Sequence, residues 1–273
     1  MPIANFDIIS LMYKYLKKYT KNSVLENWLE QTEAKWQNPP DFELDKSKLK
    51  HLAIICDGNR RAAQQLNLNP YFGHRVGVKT IRGIARACRK WDIDILTFWV
   101  WSTENWGRDK NQVKFVMNLA QESLSEDNLL NELIDDQVKF MHIGRKDRLP
   151  NKLKEILDEL EANTRKFSKY KLNLALDYGG VDEMNRAVEK MLLNNARPEK
   201  LFDYLDTAGQ PLPDLVIRTG MDDNEIIHTS GFMPLQTAYS GWIFLNDLFP
   251  NLTPESLLSA IKTFVNYQRR NGK

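Results

Sequence analysis

The segment from Ile54 to Arg61, IICDGNRR, carries the residue types best suited to chemistry. An apolar run ends abruptly at Asp57, and a Gly-Asn turn and two arginines follow. The pattern predicts a buried parallel strand that delivers Asp57 to its carboxyl end, then a tight turn into a helix. A helix N-terminus favours anions because its first N–H groups lack partners, and Arg60 adds positive charge there. The segment predicts a phosphate site. Because a bare carboxylate repels phosphate, the adjacent Asp57 indicates that a metal ion or a proton bridges the two groups.

A second polar block, WSTENWGR, follows the apolar pattern ILTFWV. Ser102, Asn105 and Arg108 supply hydrogen-bond donors, whereas Trp101 and Trp106 supply large apolar surfaces. An arginine presents a planar fork that suits diphosphate because it makes paired, charge-assisted bonds. A site with arginines and aromatic walls fits a ligand with a charged head and an apolar tail.

The elements that must position these groups are short apolar strands alternating with amphipathic helices. The predicted strands span 52–56, 95–101, 138–143, 172–177, 214–217 and 242–245, and the predicted helices span 75–90, 111–134, 152–166, 182–194 and 254–268. This alternation predicts parallel strands with crossover helices in one α/β domain, whose ligands bind beyond the carboxyl ends of the strands. Asp57, Ser102, Asp177 and Arg218 follow four of those ends, so we expect them to converge.

Composition excludes several classes of protein. A net charge of +2 and a pI near 8.3 give no case for general nucleic-acid binding. Cys56 and Cys88 form no CxxC pair, which predicts buried thiols in a reducing, cytoplasmic compartment. No apolar run reaches the length of a membrane span. The sequence also lacks the P-loop and dinucleotide-binding glycine motifs.

Residues 1–46 differ in pattern from the rest and predict an N-terminal helical extension followed by a linker. One face of the predicted helix carries Ile8, Leu11, Met12, Tyr15, Leu16 and Tyr19, and lysines lie towards the other. Two interpretations stay open, a helix packed on its own domain or on a partner subunit, and a basic helix lying on a membrane surface. The run Asn38-Pro39-Pro40 then breaks the pattern.

Six motifs in order resemble the cis-prenyltransferases, the family of undecaprenyl and dehydrodolichyl diphosphate synthases. They are HLAIICDGNRR, FGHRVG, STENWGR, YGG, DLVIRTG and LQTAYS, and they cover about residues 50 to 252. The resemblance implies that residues 47–273 form the catalytic domain of a prenyltransferase, with a six-stranded parallel sheet surrounded by helices. It implies a hydrophobic tunnel between the sheet and two helices, 75–90 and 111–134, and a dimeric assembly.

The resemblance also implies the reaction and the residues that perform it. An allylic prenyl diphosphate binds first, isopentenyl diphosphate adds to it with cis geometry, and Mg²⁺ is the cofactor. Asp57 is implied to be catalytic and to hold the metal and the leaving diphosphate, and Asn105 to accept the proton. The positions implied to bind substrates are Gly58, Asn59, Arg60, Arg61, His74, Ser102, Thr103, Glu104, Trp106, Arg108, Arg218, His228 and Ser230.

Three departures from the family pattern fall outside the Asp57 segment. Pro70 stands where many members have an arginine. The run MDDNEIIHTS lengthens the segment after Gly220, and its His228 stands where an arginine is expected. Gly241 replaces the metal-binding glutamate that usually follows the LQTAYS motif. The metal and isopentenyl half of the site is therefore expected to be incomplete.

Three explanations for the departures stay open. A partner subunit supplies the missing groups in a heteromer, or the enzyme couples or cyclises allylic diphosphates, or Asp222, Asp223 or Glu225 replaces the lost ligand. A non-catalytic subunit that binds prenyl lipids is the alternative from another functional class. The sequence leaves the product length undetermined.

Overall fold

Six parallel strands form one sheet in the computed structural model, which describes residues 23–222 and 224–267. In chain order they are β1 (His51–Ile55), β2 (Ile95–Ser102), β3 (Val138–Ile143), β4 (Tyr170–Tyr178), β5 (Leu215–Arg218) and β6 (Gly241–Phe244). Their spatial order is β3-β4-β2-β1-β5-β6, which puts β1 near the centre. Every residue of β1 is buried, as a parallel strand covered on both faces requires. The predicted single α/β domain with a six-stranded parallel sheet is confirmed.

Helices cover the sheet. They are α1 (residues 23–35), α2 (Asn59–Gln65), α3 (Phe72–Lys90), α4 (Lys110–Leu124), α5 (Asp127–Asp135), α6 (Asn151–Thr164), α7 (Gly180–Leu193) and α8 (Pro254–Asn266). Among the described residues, no helix combines the length and the apolar run that crossing a bilayer requires.

The prediction of one helix over 111–134 is wrong, because the chain breaks between α4 and α5. Ser125 ends α4, and Glu126 adopts an extended backbone with ψ of 129°. Arg82 of α3 stabilises the break by donating to Ser123 O at 3.2 Å and pairing with Glu126 at 2.7 Å. A cation here satisfies carbonyls that the end of a helix leaves without partners.

An apolar tunnel lies between the sheet and α3, α4 and α5, as the resemblance implies. Its walls include Phe98, Val100, Leu172, Leu174 and Leu176 from the sheet, Val78, Ile81 and Ala85 from α3, and Val116, Leu119 and Ala120 from α4. The rest of the tunnel wall includes four charged residues, Arg82, Arg86, Arg89 and Glu132. The tunnel can therefore enclose an apolar chain along most of its wall.

The segment before β1 packs on α3. Trp36 is fully buried, and a Cβ atom at Gly83 would lie 2.2 Å from the Trp36 ring, so only glycine permits this approach. Lys90 Nζ and Trp91 Nε1 donate to the carbonyls of Pro39 and Pro40 at 2.7 and 2.8 Å. The predicted helix face from Ile8 to Tyr19 lies outside the described residues, and the division at residue 46 stays a prediction.

A buried polar network occupies the face of the sheet opposite the tunnel. His51 Nε2 lies 2.7 Å from Thr97 Oγ1, and His51 Nδ1 lies 2.8 Å from Pro211 O. Asn173 Nδ2 donates to Thr97 Oγ1 at 2.9 Å, which leaves the Thr97 hydroxyl proton for His51 Nε2. His51 is therefore a neutral ring that donates from Nδ1. Burial lowers its pKa to about 4, although the Pro211 carbonyl favours the protonated form.

Acidification is expected to weaken the fold through His51. The unfolded ring protonates near pH 6.5 whereas the folded ring resists until about pH 4, so the unfolded state binds more protons between these values. The free energy of unfolding should fall by about 3 kcal/mol across this window. Denaturant titrations of wild type and His51→Gln from pH 7 to 4 measure it.

The variant should lose up to about 1.4 kcal/mol per pH unit of the wild-type slope. Thr164→Val is the matched control, because it removes buried hydrogen bonds with the Phe140 N–H and the Leu160 carbonyl that do not involve His51. It should lower the stability similarly at every pH. Equal slopes for wild type and His51→Gln would contradict this assignment.

Candidate active site

Asp57 lies directly beyond the carboxyl end of β1. Gly58 follows with a φ of 98°, and a Cβ there would lie 2.8 Å from the Leu248 side chain, so the sharp turn into α2 requires glycine. The Gly58 N–H donates to Asp57 Oδ1 at 2.6 Å. Thr219 Oγ1 accepts a hydrogen bond from the Asp57 N–H at 3.1 Å, and the same hydroxyl donates to the Asp57 carbonyl at 2.9 Å. These contacts hold the Asp57 carboxylate at the start of α2.

Arg218, the last residue of β5, reaches the other carboxylate oxygen. Its Nη2 donates to Asp57 Oδ2 at 3.1 Å, and its Nη1 donates to His228 O at 2.7 Å and to Ser230 Oγ at 3.0 Å. Arg218 is only 5% exposed, so its charge is poorly hydrated and depends on these acceptors. It joins β1 to the lengthened segment after β5.

His228, in the lengthened segment, contacts Arg218, Ser230 and Glu225 through its ring. Its Nδ1 lies 3.0 Å from both Arg218 Nη1 and Ser230 Oγ, and its Nε2 lies 3.3 Å from Glu225 Oε1. An Nδ1 beside a guanidinium accepts a hydrogen bond, so the Nε2–H group donates a hydrogen bond to Glu225. The lengthened segment therefore returns to Arg218.

Arg61 contacts the same carboxylate from α2. Its Nη2 donates to Gly220 O at 2.5 Å and lies 3.5 Å from Asp57 Oδ1. Gly220 has a φ of 72°, and a Cβ there would lie 2.9 Å from Arg61 Nη2. Two arginines thus flank one carboxylate, an arrangement that leaves net positive charge for an anion.

The Thr103–Gly107 segment forms a 3-10 turn that presents the second group of polar side chains. Asn105 Oδ1 accepts the Ser102 N–H at 3.3 Å in a reciprocal cap at the start of the turn. An irregularity in the β2–β4 pairing at Trp99 and Trp101 precedes the turn. It places Trp99 against Phe232 on one face of the sheet and Trp101 in the core of the opposite face.

His74 lies near the start of α3, where the anion site meets the tunnel. Burial, with the nearby charges of Arg108 and Arg60, lowers its pKa to about 4. The ring is therefore neutral near pH 7 and can donate one hydrogen bond. Among the described residues, neither its buried Nε2 nor the buried Oδ1 of Asn59 has a hydrogen-bond partner. Buried polar atoms of this kind mark a place where a ligand completes the hydrogen bonding.

One cavity gathers these groups. Of the residues singled out in the sequence, it is lined by Asp57, Gly58, Asn59, Arg60, Arg61, His74, Ser102, Glu104, Asn105, Arg108, Arg218 and Ser230. Cys56, Asn59, His74 and Val100 also line the tunnel, so the two spaces adjoin each other. The arrangement can bind an anionic head group while its apolar tail occupies the tunnel.

Three residues implied to bind substrates do not line this cavity, and neither does Asp177, whose buried carboxylate pairs with Arg148 instead of converging with Asp57. Thr103 turns towards Gly179 and donates to Glu104 at 2.9 Å. Trp106 is half-buried and packs edge-to-face on Trp101, with centroids 6.2 Å apart. His228 acts through Arg218. Thr219 was not among the predicted residues, although a hydroxyl directly after a strand-end arginine was available as a signal.

Gly241 lies away from Asp57 within this chain. Gly241 pairs with Leu215 at the amino end of β5 and β6, the opposite edge of the sheet from Arg218. A Cβ at position 241 would lie 2.6 Å from the Phe264 ring, so a longer side chain would meet α8. Of the three acidic candidates, Glu225 lies 4.0 Å from Arg218 Nη2. Asp222 is exposed, and Asp223 lies outside the described residues.

Comparisons with known proteins support one family. A family model described as putative undecaprenyl diphosphate synthase matches residues 55–272. A tritrans,polycis-undecaprenyl-diphosphate synthase (geranylgeranyl-diphosphate specific) of Thermococcus kodakarensis is 37% identical over 239 residues, covering 82% of this chain and 87% of that protein. An isoprenyl transferase of Bacillus cereus is 35% identical, covering 82% of this chain and 88% of its own length.

Solved structures agree. A lavandulyl diphosphate synthase from Lavandula x intermedia, in complex with dimethylallyl diphosphate, matches with a TM-score of 0.76 and 28% identity, covering 84% of this chain and all of that chain. A probable undecaprenyl diphosphate synthase from Campylobacter jejuni matches with a TM-score of 0.67 and 32% identity, covering 82% of this chain and 99% of that one.

Proposed function

Because this chain belongs to the undecaprenyl diphosphate synthase family of prenyltransferases, we propose that it joins an allylic prenyl diphosphate to isopentenyl diphosphate with cis geometry and releases diphosphate. One observation carries the proposal. The arginine-rich cavity beside Asp57 adjoins the apolar tunnel, and Cys56, Asn59, His74 and Val100 line both. The substrates of such a reaction have a diphosphate head and a hydrocarbon tail, and the two spaces match these two parts.

The residues supply the reaction through electrostatics and confinement. Departure of diphosphate from the allylic carbon develops negative charge, and Arg60, Arg61 and the buried Arg218 stabilise that charge without reorganising. His74 and Asn59 present unsatisfied polar atoms where head and tail meet. The tunnel walls exclude water from the allylic cation and hold the reacting carbons together. We assign the binding of the acceptor diphosphate to Ser102, Asn105 and Arg108, and proton acceptance to Asn105.

Magnesium fits the donor set as a second charge-neutralising group. Mg²⁺ is usually held by one or two carboxylates and by substrate phosphates, with water completing six ligands. Asp57 supplies such a carboxylate, and no cluster of three or more His, Cys, Asp or Glu side chains that could hold a metal occurs in the described part of the chain. We propose that Asp57 holds Mg²⁺ together with a bound diphosphate. When bound, the ion neutralises charge on the leaving group.

We propose a homodimer as the assembly. In the sheet as described, β6 is an edge strand that pairs with β5 alone, and an edge strand readily pairs with a second chain. Ile226 and Ile227, in the segment that returns to Arg218, are 86% and 65% exposed. A heteromer stays the alternative, and cytoplasmic location with peripheral membrane contact stays a prediction from the sequence.

Incubation of the purified chain with Mg²⁺, labelled isopentenyl diphosphate and allylic primers of several lengths tests the function. Labelled product made by the single chain, with a mass increasing in isoprene units, supports it and rejects a non-catalytic subunit. Product from an allylic diphosphate alone would favour a coupling enzyme instead. No product from any combination of substrates would contradict the proposal.

Narrowing the tunnel is expected to shorten the product. Ala85 lines the tunnel on α3, eleven residues beyond His74 and therefore about 16 Å along the helix. A phenylalanine in Ala85→Phe would fill the path of the tail, so the longest product should lose several isoprene units. Mass spectrometry of the extracted products measures the shift. Val188→Phe on the exposed face of α7 is the control, and a product unchanged in Ala85→Phe would contradict the assigned path.

A further inference from the structure

A bidentate ion pair lies behind the wall of the anion cavity and has no role in the chemistry described above. Arg148 Nε donates to Asp177 Oδ2 at 2.9 Å, and Arg148 Nη2 donates to Asp177 Oδ1. Asp177 is the last residue but one of β4 and is fully buried, whereas the Arg148 side chain is 36% exposed. A buried carboxylate costs several kcal/mol of desolvation, so this charge requires its partner.

The backbone at Asp177 restricts which residue can stand there. Its φ is 57°, a left-handed conformation that only glycine, asparagine and aspartate adopt readily. Its carbonyl accepts the Arg145 N–H at 3.0 Å, which ties the loop after β3 to the end of β4. Asp177 therefore fixes both the path of that loop and the direction of the Arg148 side chain.

The Arg148 guanidinium is directed at the 3-10 turn. It lies over the Trp106 ring at 5.8 Å from the centroid. Trp106 packs edge-to-face on Trp101 at an interplanar angle of 84°, and Arg108 lies over the Trp101 ring at 5.5 Å. A continuous chain of contacts thus runs from buried Asp177 to Arg108, which lines the anion cavity.

The indole rings have no other polar anchor in the part of the chain that the structure describes, where both buried Nε1 atoms lack a hydrogen-bond partner. Their orientation depends on contacts with their faces and edges. A guanidinium held flat by a bidentate carboxylate supplies such a contact, since cation–π attraction depends on the position of the charge over the ring.

We propose that Arg148 and Asp177 are positioning residues that hold the Thr103–Gly107 turn, so that Arg108 and Asn105 face the acceptor diphosphate. The inference rests on the proposed function for its kinetic consequence, but its geometric part does not. Loss of the pair leaves the allylic half of the cavity, Asp57 to His74, unaltered. The effect should therefore fall on the acceptor substrate.

Arg148→Gln is the first test, with Arg148→Lys as the variant that retains the charge but not the planar fork. Both should raise KM for isopentenyl diphosphate about 10-fold while KM for the allylic diphosphate changes less than about 2-fold. Asp177→Asn, which tolerates the left-handed backbone, should reproduce this split. In the double variant Arg148→Gln/Asp177→Asn the effect should not exceed that of either single change, because the two residues act as one unit.

Arg145→Gln is the matched control. Arg145 belongs to the same loop and pairs with Asp147 at 2.6 Å and Asp182 at 3.3 Å, and no ring contact joins it to Trp106 within the described residues. It should lower Tm without splitting the two KM values. A split of the same size in Arg145→Gln, or unchanged KM values in Arg148→Gln, would overturn the proposal.

Circular dichroism separates failure of this inference from failure of the proposed function. The Trp101–Trp106 pair gives an exciton couplet that Trp106→Phe identifies by its loss. The couplet should be reduced in Arg148→Gln and kept in Arg145→Gln, whatever reaction the protein catalyses. A couplet unchanged in Arg148→Gln would overturn the positioning role even if the enzyme were active as proposed.

Discussion

Asp57→Asn is expected to lower kcat at least about 10³-fold, equivalent to about 4 kcal/mol of transition-state stabilisation. Asparagine keeps the shape and still accepts from the Gly58 N–H, which Asp57 Oδ1 does at 2.6 Å. It removes the charge that we assign to the metal and the leaving group. The two flanking arginines then lose their counter-charge, so the allylic diphosphate should bind as tightly as before or more tightly.

This separation of binding from chemistry is the distinguishing result. Single-turnover rates should fall by the same factor as kcat, whereas calorimetry with inorganic pyrophosphate should show no loss of affinity. Asp158→Asn is the control, because its exposed carboxylate pairs with Lys146 at 2.5 Å and neither residue lines the anion cavity. Wild-type kcat in Asp57→Asn would falsify the catalytic assignment.

Arg218→Gln should lower kcat/KM about 10²- to 10³-fold, or about 3 to 4 kcal/mol. Arg218 is nearly buried, and it bonds Asp57, His228 and Ser230 at once. Glutamine cannot satisfy these acceptors and brings no charge to the diphosphate. Removing one partner of a buried, hydrogen-bonded ion pair leaves the other without compensation.

Arg218→Lys sharpens the interpretation. It keeps the charge but cannot reach both Asp57 and the 228–230 segment, so it should recover only a small part of the loss. Arg186→Gln is the matched control, because Arg186 also makes a two-pronged pair, with Asp206 at 2.6 and 2.8 Å. It should lower Tm with little change in kcat/KM. Comparable kinetic losses in both variants would mean that Arg218 is only structural.

The convergence of the site could be predicted because parallel strands end at one edge. The apolar run before Asp57 and the run before Arg218 both predicted strands, and the structure joins the two side chains at 3.1 Å. The identity of the tunnel walls followed from the family resemblance. Local pattern and topology were sufficient for the convergence, since Asp57 and Arg218 each follow a short apolar strand.

Other features depend on contacts that a linear pattern does not encode. The break between α4 and α5 is stabilised by Arg82 of another helix. The role of Arg148 depends on the left-handed backbone of Asp177, nearly thirty residues away along the chain. The position of Gly241 could have been inferred, because a residue that precedes a predicted strand at 242–245 must lie at its amino end.

The alternation of β2 divides the protein into two compartments that can change separately. Phe98 and Val100 face the tunnel, whereas Thr97 faces the His51 network and Trp99 stacks on Phe232 at 5.1 Å. A substitution at the partly exposed Val100 should change which hydrocarbon the enzyme releases, at a smaller cost in stability than one at the fully buried Phe98. A substitution at Thr97 should change acid tolerance while the released hydrocarbon stays the same, whereas Trp99 and Trp101 also line the anion cavity. The released hydrocarbon and the tolerance of acid can thus change through different residues of one strand, Val100 and Thr97.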